Sequence, residues 1–517
     1  RQVTGDITGN IDLNQIDMTR VKRIEVLNGA ASSLYGSDAI GGVINIITNE
    51  PKDVVAFSSN SSYTRKNQFS QGLNLDIAQG KIGSYTSYKY DHSDGWQNSH
   101  LTEDGEDIIE TIAPLSLGYS SNNFSQKFTY DATDQLSFYA NGGYYNRGLE
   151  RPVEREDITG GSKYNTTYEG YNWGAGAKYK LSKRNVIQFD YSGNNYASRY
   201  KYLIENSGYL PGQYALTKLQ KFHDAELKGI FGFTTNSTTV FGVDYRREVL
   251  RRPDSDLDKS VYTTSAYGQH EVKLWNHLTG VVGVRYDHHE QTGGRFTPKV
   301  AAMYNIGNFN VRATYAAGFR APGIDELYYH MFKKTMGTRA TISLGDENLD
   351  PERSNYYSIN MEYRTNRFSA SVTGYLNYVK NMVTSKSTKF DDLPEAEQNQ
   401  LREEFPEIGD LSSTKNLSVK NYFNFEKATV KGFEVNLNGN LFPGFTLAGN
   451  YTYAYGRGLN EGGEWQNIER SIRHTATITG NYTHSWSDYT LNLNLNGRLQ
   501  SKVYYPCLLY TSPSPRD

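Results

Sequence analysis

Cysteine is nearly absent from this chain, which has a single one, Cys507, among 517 residues. A disulfide framework and a thiolate metal site are therefore excluded. Long apolar runs are absent as well: the chain has no run of the roughly 18 apolar residues that a transmembrane helix needs. The formal net charge is only −2, so there is no basic field of the kind that attracts nucleic acid.

Apolar residues are scarce, whereas aromatic residues are abundant. Hydrophobic residues make up 37% of the chain, a low share for a soluble protein, yet aromatics reach 13% and include 42 tyrosines. A disordered chain would lack aromatics, and a soluble core would need more leucine, isoleucine and valine. Tyrosine has an apolar ring and a polar hydroxyl, so this composition favours a surface between lipid and water.

From about residue 54 onward, apolar and polar residues alternate with a period of two. Phe368–Tyr378 (FSASVTGYLNY) places its apolar and polar residues on opposite faces, and Tyr489–Gln500 (YTLNLNLNGRLQ) alternates almost without error. Phe433–Leu441 and Thr475–Tyr482 repeat the pattern. A period of two indicates β-strands with two different faces.

The connections between these segments predict a membrane barrel rather than a soluble sandwich. Short turns alternate with long polar loops, and aromatic residues cap the apolar face near strand ends, as in outer-membrane barrels. A sandwich has no reason to collect every long loop at one end. We expect about nineteen strands between residues 54 and 500. The predicted short turns are Gln79–Lys81, Asp131–Gln135, Leu181–Arg184, Asn305–Asn308, Arg364–Arg367 and Phe442–Gly444. The predicted long loops are Asp91–Asn122, Arg147–Thr167, Lys201–Lys218, Phe319–Arg353 and Lys380–Asn421.

Residues 1–53 do not follow the barrel pattern. Val21–Leu27 is a predicted strand, and Asn28–Gly36 contains a turn followed by about one helical turn. Gly41–Thr48 is apolar without alternation, which predicts a strand buried on both faces. The glycines permit positive φ and close backbone approach. We therefore expect a small α/β domain that leads directly into the first barrel strand.

The segment Arg20–Thr48 (RVKRIEVLNGAASSLYGSDAIGGVINIIT) resembles the C-terminal part of the plug of TonB-dependent outer-membrane receptors. The family motif has Gly-Pro where this chain has Gly29-Ala30. Further on, GFRAPGIDELYY (318–329) and LGDENLDPERS (344–354) resemble the FRAP and NPNL boxes of that family, the second with Asp-Glu-Asn-Leu in place of Asn-Pro-Asn-Leu.

The resemblance implies an all-β fold: a transmembrane antiparallel β-barrel with the C-terminal part of a small α/β plug domain. Family barrels have about 22 strands, so about 19 of 22 are expected here. Residues 1–53 are assigned to the plug and 54–506 to an incomplete barrel. Residues 507–517 do not alternate, carry two prolines and resemble translated sequencing-adapter text, so they are expected to be a non-native tail.

The chain begins at Arg1 without a methionine, so we expect a truncated start. Most of the plug, the TonB box and the last strands are then expected to lie outside this sequence. Missing strands would leave the barrel sheet with two open edges, which lipid does not tolerate.

By this resemblance, the protein is expected to import a scarce metal chelate across the outer membrane of a Gram-negative bacterium. The expected cargo is haem, a ferric siderophore or cobalamin; no cofactor, resident metal or catalytic residue is predicted. The expected partners are the TonB complex of the inner membrane, outer-membrane lipid and the chelate, without nucleic acid. An enzyme is not expected, because no nucleophile elbow, phosphate loop or metalloprotease motif is present. A passive channel and a glycan importer remain as alternatives, although a porin would lack the plug motif.

The resemblance also implies roles for plug residues. The plug motif includes Gly36, Ser37, Gly41 and Gly42. Arg23 and Glu25 are expected to be the charged pair that docks on the barrel wall. An ordinary solvated strand face is the alternative for these two residues.

Ligand-binding residues are expected in the external loop between the two boxes. Haem receptors resemble this chain in carrying a histidine there, and His330 would correspondingly help to ligate haem iron. Tyr328 and Tyr329 are candidates to pack on a porphyrin or to bind iron, and Arg320 of the FRAP-like box is a further candidate. The alternative is that His330 is a loop residue without a ligand.

Two loop segments are strongly acidic, Glu103–Asp107 and Asp391–Asp410. Clustered carboxylates favour Ca²⁺, but neither segment has the spacing of an EF-hand. We expect both to be solvated, the second as a short amphipathic helix.

Overall fold

The computed structural model describes residues 12–37, 39–65, 67–104, 107–151, 153, 158–159, 162–206, 208–334, 340–459, 463–468 and 471–504. The predicted tail, residues 507–517, lies outside these ranges. No helix within them is both long enough and apolar enough to cross a bilayer.

The plug segment contains 3-10 helices at Leu13–Gln15 and Met18–Arg20, followed by β1 (Val21–Asn28), α1 (Ser32–Tyr35) and β2 (Gly42–Thr48). The next elements are β3 (Ala56–Thr64), β4 (Gln68–Gln79), β5 (Ile82–Ser93), β6 (Trp96–Asp104), β7 (Asp107–Ser116), β8 (Gly118–Asp131), β9 (Leu136–Glu150), β10 (Ile158–Thr159), β11 (Tyr164–Lys180), β12 (Asn185–Tyr202), β13 (Tyr214–Thr234), β14 (Ser237–Arg252), a 3-10 helix (Pro253–Ser255), β15 (Leu257–Leu274) and β16 (Leu278–His289). The remaining elements are β17 (Gly293–Ile306), β18 (Phe309–Arg320), α2 (Ile324–Tyr328), β19 (His330–Lys334), β20 (Ala340–Leu344), β21 (Glu352–Arg364), β22 (Phe368–Lys389), a 3-10 helix (Phe390–Asp392), α3 (Glu395–Glu404), a 3-10 helix (Pro406–Asp410), β23 (Leu417–Phe442), β24 (Phe445–Leu459), β25 (Trp465–Asn467), β26 (His474–Ser485) and β27 (Thr490–Gln500).

Among the described residues, nineteen barrel strands form one sheet in chain order, which confirms the expected number. Antiparallel ladders join each barrel strand to the next. Three shorter strands attach at the loop end, where β19 pairs with β20, β20 runs parallel to β23, and β25 pairs with β24. The barrel strands are β3–β5, β8, β9, β11–β18, β21–β24, β26 and β27.

The seam between the first and last barrel strands differs from the rest of the wall. The strand order is that of a closed barrel in which β27 comes next to β3, so the expectation of two open edges is not confirmed. Because all the ladders between successive barrel strands are antiparallel, β3 and β27 run in the same direction. Every residue of β27 and all but the first of β3 are exposed, whereas most of β13 is buried or half-buried. The seam strands are therefore far less covered than β13.

The six predicted short turns are confirmed, and they share one end of the barrel. The expectation that every connection at the other end is long is wrong, because β3–β4, β14–β15 and β16–β17 are joined there by residues 65–67, 253–256 and 290–292. The predicted loop Lys380–Asn421 is also shorter than expected, because β22 continues to Lys389 and β23 begins at Leu417. Polar residues in these extensions are paired within the ladder, so polarity alone did not mark the strand ends.

The outward face of the barrel carries large apolar side chains. Near the short turns, Phe233, Trp275 and Tyr489 are 70%, 82% and 76% exposed, respectively. A soluble monomer does not expose aromatic rings around its whole circumference. In membrane barrels, a lipid-facing apolar band bordered by aromatic residues exposes such rings. The inner face of such a barrel is polar, which accounts for the low share of apolar residues in the chain.

The plug segment contributes a two-stranded sheet of β1 and β2. The expectation that Gly41–Thr48 is buried on both faces is wrong: most of β2 is half-buried, and Ile44 is 68% exposed. In the described part of the chain, β2 pairs with one strand, β1, so only part of the surface of its apolar residues is covered. β2 ends at Thr48 and β3 begins at Ala56, so the predicted plug–barrel boundary at 53–54 falls between them.

An outer subdomain packs at the loop end of the barrel around an apolar core of its own. It is formed by β19, β20, α3 and the outer parts of β22 and β23. The helix expected in the second acidic segment is confirmed as α3, and its Leu401 is buried while its glutamates face outward. The side chains of the first acidic segment lie outside the described residues. The core residues are Ala340, Ile342, Phe390, Leu401, Phe405, Ile408, Leu417 and Val419.

The exposure of the seam predicts where the barrel opens first. In detergent micelles, amide hydrogens of β27 should exchange at least about tenfold faster than those of β13, because local opening is easiest where few contacts cover the strand. Hydrogen exchange followed by mass spectrometry of peptides from both strands measures this ratio. Equal protection of β27 and β13 would show that the seam is as well packed as the rest of the wall.

Candidate functional site: the plug contact and the outer mouth

The plug contacts the barrel where one of its ladders stops. The pairing of β17 with β18 ends at Lys299 and Ala316, so the outer part of β18 has β21 as its only strand neighbour. There the backbone N–H of Phe319 donates to Ser32 Oγ at 3.3 Å, and that of Ala321 donates to Ser37 Oγ at 3.1 Å. Two plug hydroxyls thus take the place of a neighbouring strand.

A buried arginine fixes the C-terminal end of the plug helix α1. The Arg285 side chain is 4% exposed and forms ion pairs with Asp244 at 2.6 Å and Asp287 at 2.8 Å. Its Nη1 also donates to the carbonyl of Leu34 at 3.4 Å. A cation is favourable at a helix C-terminus, where carbonyl groups have no partner within the helix. Arg285 therefore connects the barrel wall to the plug motif.

The glycines of the plug motif have different structural roles. Gly36 has φ of +76°, and a Cβ there would lie 2.8 Å from Nη2 of Arg285. Gly42 has φ of +140°, and its Cβ would lie 2.5 Å from the carbonyl oxygen of Leu27. Both positions require glycine, since other residues rarely adopt these angles and the space is occupied. Gly41 has open space around its Cβ position, so no contact restricts it.

The predicted docking pair bonds within the plug in the described part of the chain. Arg23 Nε and Glu25 Oε1 lie 2.7 Å apart, and the two side chains are 53% and 45% exposed. Glu25 also accepts from Asn45 of β2 at 3.4 Å. An ion pair this exposed contributes at most about 1 kcal/mol. This geometry does not support the docking role and agrees with the solvated strand face.

Other polar plug residues make the contacts that were expected of this pair. Asp12 accepts a hydrogen bond from Tyr145 at 2.9 Å, and Asp17 accepts one from Ser87. Both aspartates also cap the short 3-10 helices, accepting from the backbone two residues on. The position of these two aspartates just before short polar helices is the feature by which the sequence could have marked them. That position does not reveal which barrel residue each aspartate contacts.

A polar cavity of about 780 Å³ lies on another side of the plug. Residues of β2 and the following link line one side of it, among them Ile46 and Asn49. Residues of β8, β9, β11 and β12 line the other, including Asn141, Asn172 and Asp190. The plug is therefore attached closely to the β16–β18 wall and separated by a cavity from part of the wall formed by β8, β9, β11 and β12.

Arg320 of the FRAP-like box holds the outer loop to the wall. Its guanidinium donates to Glu326 of α2 at 2.9 and 3.2 Å and to Glu352 of β21 at 2.7 Å. Glu352 also accepts from the backbone of Val383, and Glu326 from that of Gly323. Paired with two carboxylates, Arg320 joins β18, α2, β21 and β22.

The two candidate tyrosines each pack against a cation of the barrel. The Tyr329 ring lies 4.7 Å from the guanidinium carbon of Arg252, and the Tyr328 ring lies 4.8 Å from Nζ of Lys259. Contacts of this kind are favourable because the ring face is electron-rich. Burial raises the pKa of Tyr328, and the nearby Glu347 adds to this effect. The phenol is therefore a poorer source of phenolate for iron than a solvated tyrosine.

His330 contacts the outer subdomain rather than the two tyrosines. Its Nε2 lies 2.6 Å from Glu404 Oε1, and its ring stacks on Phe405 with 4.5 Å between centroids. The side chain is 48% exposed. Tyr328, Tyr329 and His330 thus engage β15, β14 and α3, and the structure does not bring them together around one point. No group of three or more His, Cys, Asp or Glu side chains suited to a metal occurs in the described ranges.

Two family models match this chain. One, described as "TonB dependent receptor-like, beta-barrel", matches residues 95–512, and the other, described as "TonB-dependent Receptor Plug Domain", matches residues 1–43. The chain belongs to the TonB-dependent receptors. This family consists of outer-membrane transporters and receptors, so the protein lies in the outer membrane of a Gram-negative bacterium.

Curated relatives and solved structures of this receptor family are similar over most of the chain. The vitamin B12 transporter BtuB of Vibrio cholerae is 24% identical over 395 residues, which cover 74% of this chain and 58% of BtuB. The ferric enterobactin receptor PirA of Pseudomonas aeruginosa is 24% identical over 559 residues, covering 95% of this chain and 69% of PirA. A crystal structure of the ferric enterobactin receptor PfeA from the same organism has a TM-score of 0.70 at 16% identity and covers 96% of this chain and 75% of PfeA. The structural likeness concerns the fold, and this chain spans little more than half the length of BtuB.

Replacing Gly36 should loosen the plug of this receptor. Gly36→Ala places a Cβ against Arg285 and forces an unfavourable backbone conformation, at a cost of about 1–3 kcal/mol from the backbone alone. We expect faster proteolysis of the plug in folded receptor and greater permeability of cells to bulky antibiotics. Gly41→Ala is the matched control, since its Cβ meets open space. Equal proteolysis and permeability in both variants would contradict the proposed contact.

Replacing Arg320 should destabilise the receptor rather than only weaken ligand binding. Arg320→Gln leaves Glu326 and Glu352 without their cation, at an expected cost of about 2–4 kcal/mol because the pairs are partly buried. Denaturant unfolding followed by tryptophan fluorescence measures the loss. Arg364→Gln, which breaks an ion pair whose arginine is 68% exposed, should cost less than about 1 kcal/mol. If the denaturation midpoint of Arg320→Gln equals that of the wild type, Arg320 would again be a candidate for ligand binding.

Proposed function

We propose that this receptor imports a scarce iron or other metal chelate across the outer membrane, driven by the TonB complex. The observation that carries the proposal is the plug seated inside the barrel, with Ser32 and Ser37 accepting hydrogen bonds from β18. A barrel of this size has a wide lumen, and an attached plug prevents free diffusion through it. In a passive channel, a plug attached in this way would block the diffusion that the channel is meant to allow.

The one-sided attachment of the plug supports an active mechanism. Arg285 and the two serines hold α1 to the β16–β18 wall, while the cavity facing β8, β9, β11 and β12 leaves room for displacement. The hydrogen bonds of Leu34, Ser32 and Ser37 must break before the plug can leave the β16–β18 wall, so thermal motion alone rarely releases it. The energy source in this proposal is the inner-membrane TonB complex, which acts on the plug from the periplasmic side.

The ligand class proposed is a chelate of the size of a ferric siderophore or cobalamin. The printed names of similar proteins support it, since BtuB is a vitamin B12 transporter and PirA and PfeA are ferric enterobactin receptors. Haem stays within the proposal as a third cargo. We propose a structural role for His330, and its contacts support it: Nε2 is engaged by Glu404 and the ring is stacked on Phe405.

Uptake assays test the proposed function. The full-length receptor, produced in a host that lacks its own chelate receptors, should accumulate at least one of three labelled cargoes: a ferric siderophore, cobalamin or haemin. Accumulation should cease in a host without TonB, because the plug then stays seated. Equal uptake with and without TonB would support the passive-channel alternative instead.

A haemin titration tests His330 separately. We expect any shift of the Soret band to be the same in the wild-type receptor and in His330→Ala, because the imidazole already contacts Glu404. Tyr451→Phe is a control that removes a hydroxyl paired with another histidine, His474, on the barrel. A Soret shift that is lost only in His330→Ala would establish haem ligation by this residue.

A further inference from the structure

An asparagine of the plug contacts the barrel at the point where the first plug strand ends. Asn28 is the last residue of β1, and its Nδ2 donates to Oε2 of Glu434 on β23 at 2.8 Å. The next two residues pack against the wall: a Cβ at Gly29 would overlap the ring of Tyr356, and Ala30 is buried beside that ring. Asn28 therefore belongs to a plug contact separate from the one that the plug serines make with β18.

The barrel partner of Asn28 is a carboxylate with uncharged neighbours. In the two ladders of β23, Thr373 and Thr452 lie opposite Glu434. Among the described residues, Asn28 is its hydrogen-bond partner, and no lysine or arginine forms an ion pair with it. A negative charge at position 28 would therefore face Glu434 without compensation, and two like charges this close repel each other.

The residue after Asn28 is a glycine, and this pair has a chemistry of its own. Asparagine is among the least heat-stable side chains in proteins. Its Cγ can be attacked by the backbone nitrogen of the next residue, and a glycine there offers no side chain in the way and the freest backbone. The chain contains four Asn–Gly pairs, which begin at Asn28, Asn141, Asn438 and Asn496.

The fold separates Asn28 from the other three asparagines. Asn141 and Asn438 lie inside barrel strands that are paired on both sides, and Asn496 lies within β27, paired with β26. Asn28 is exposed and ends its strand, so the ladder with β2 holds the chain on one side of it only. The nitrogen and Cγ can approach each other where the backbone opens locally, which is easiest at strand ends.

We propose that Asn28 deamidates in the folded receptor and that this modification loosens the plug from β23. The nitrogen of Gly29 loses its proton to hydroxide and attacks Cγ of Asn28; a C–N bond forms, the Cγ–Nδ2 bond breaks, and ammonia leaves with a proton taken from water. Water then opens the cyclic imide at one of its two C–N bonds, which gives aspartate or isoaspartate. Either product replaces the donor with a carboxylate, so the hydrogen bond to Glu434 becomes a repulsion.

The modification would act on one side of the plug. The contacts of Ser32, Ser37 and Leu34 with the β16–β18 wall do not involve Asn28 and remain. An old copy of the receptor then holds its plug at that wall and has lost the attachment at β23. This inference does not depend on which chelate the receptor imports.

Peptide mapping of the wild-type receptor tests the modification directly. Folded receptor in detergent micelles is kept at mildly alkaline pH, and chromatography with mass spectrometry measures asparagine, aspartate and isoaspartate at each position over time. Asn28 should convert at least about tenfold faster than Asn141 or Asn438, because both of these lie in ladders that rarely open. Digestion in heavy-oxygen water marks any conversion that occurs after unfolding. Equal rates at the three positions would overturn the proposal.

Variants test the effect on the plug. Asn28→Asp should expose the plug to proteolysis several-fold faster than in fresh wild type, and adding Glu434→Gln should restore resistance because the repulsion is removed. Asn45→Asp is the matched control: Asn45 also donates to a glutamate, but its partner Glu25 belongs to the plug sheet. Heat-dependent gel mobility confirms that each variant is folded. Equal proteolysis of Asn28→Asp and Asn45→Asp, or no rescue by Glu434→Gln, would overturn the assigned effect.

Discussion

The structure depends on one constraint: in lipid, every backbone N–H and C=O group needs a partner within the protein. In the described residues, antiparallel ladders between successive barrel strands supply most of these partners. The point where the β17–β18 ladder ends is therefore a weak point of the wall. The serine hydroxyls of the plug motif supply partners for β18 there, so the plug is attached by the same kind of bond that holds the wall together.

Two arginines of the barrel add to this attachment, one at the plug and one at the outer loop. Arg285 is held by Asp244 and Asp287 and reaches the plug helix, while Arg320 is held by Glu326 and Glu352 and fixes the outer loop. Each arginine is paired with two carboxylates, which offsets the cost of removing its charge from water. One charge network thus restrains the plug and a second restrains the loop above it.

The outer mouth is more ordered than a set of solvated loops. Tyr328 and Tyr329 cover cations of β15 and β14, and the contact of His330 with α3 joins the loop to a subdomain with its own apolar core. The side chains singled out as ligands hold this architecture together. A ligand site at the mouth would therefore be shaped by these elements.

The barrel, its strand number and its short turns could be predicted from the sequence, because alternation and turn chemistry are local properties of the chain. Gly36 and Gly42 could also be recognised, since the need for positive φ is local. The partners of Ser32 and Ser37 could not, because they lie more than 280 residues away along the chain. The tertiary structure also decided that Arg23 and Glu25 pair with each other and that Arg320 and His330 meet carboxylates. The reason is that packing of the folded chain determines which charges become neighbours.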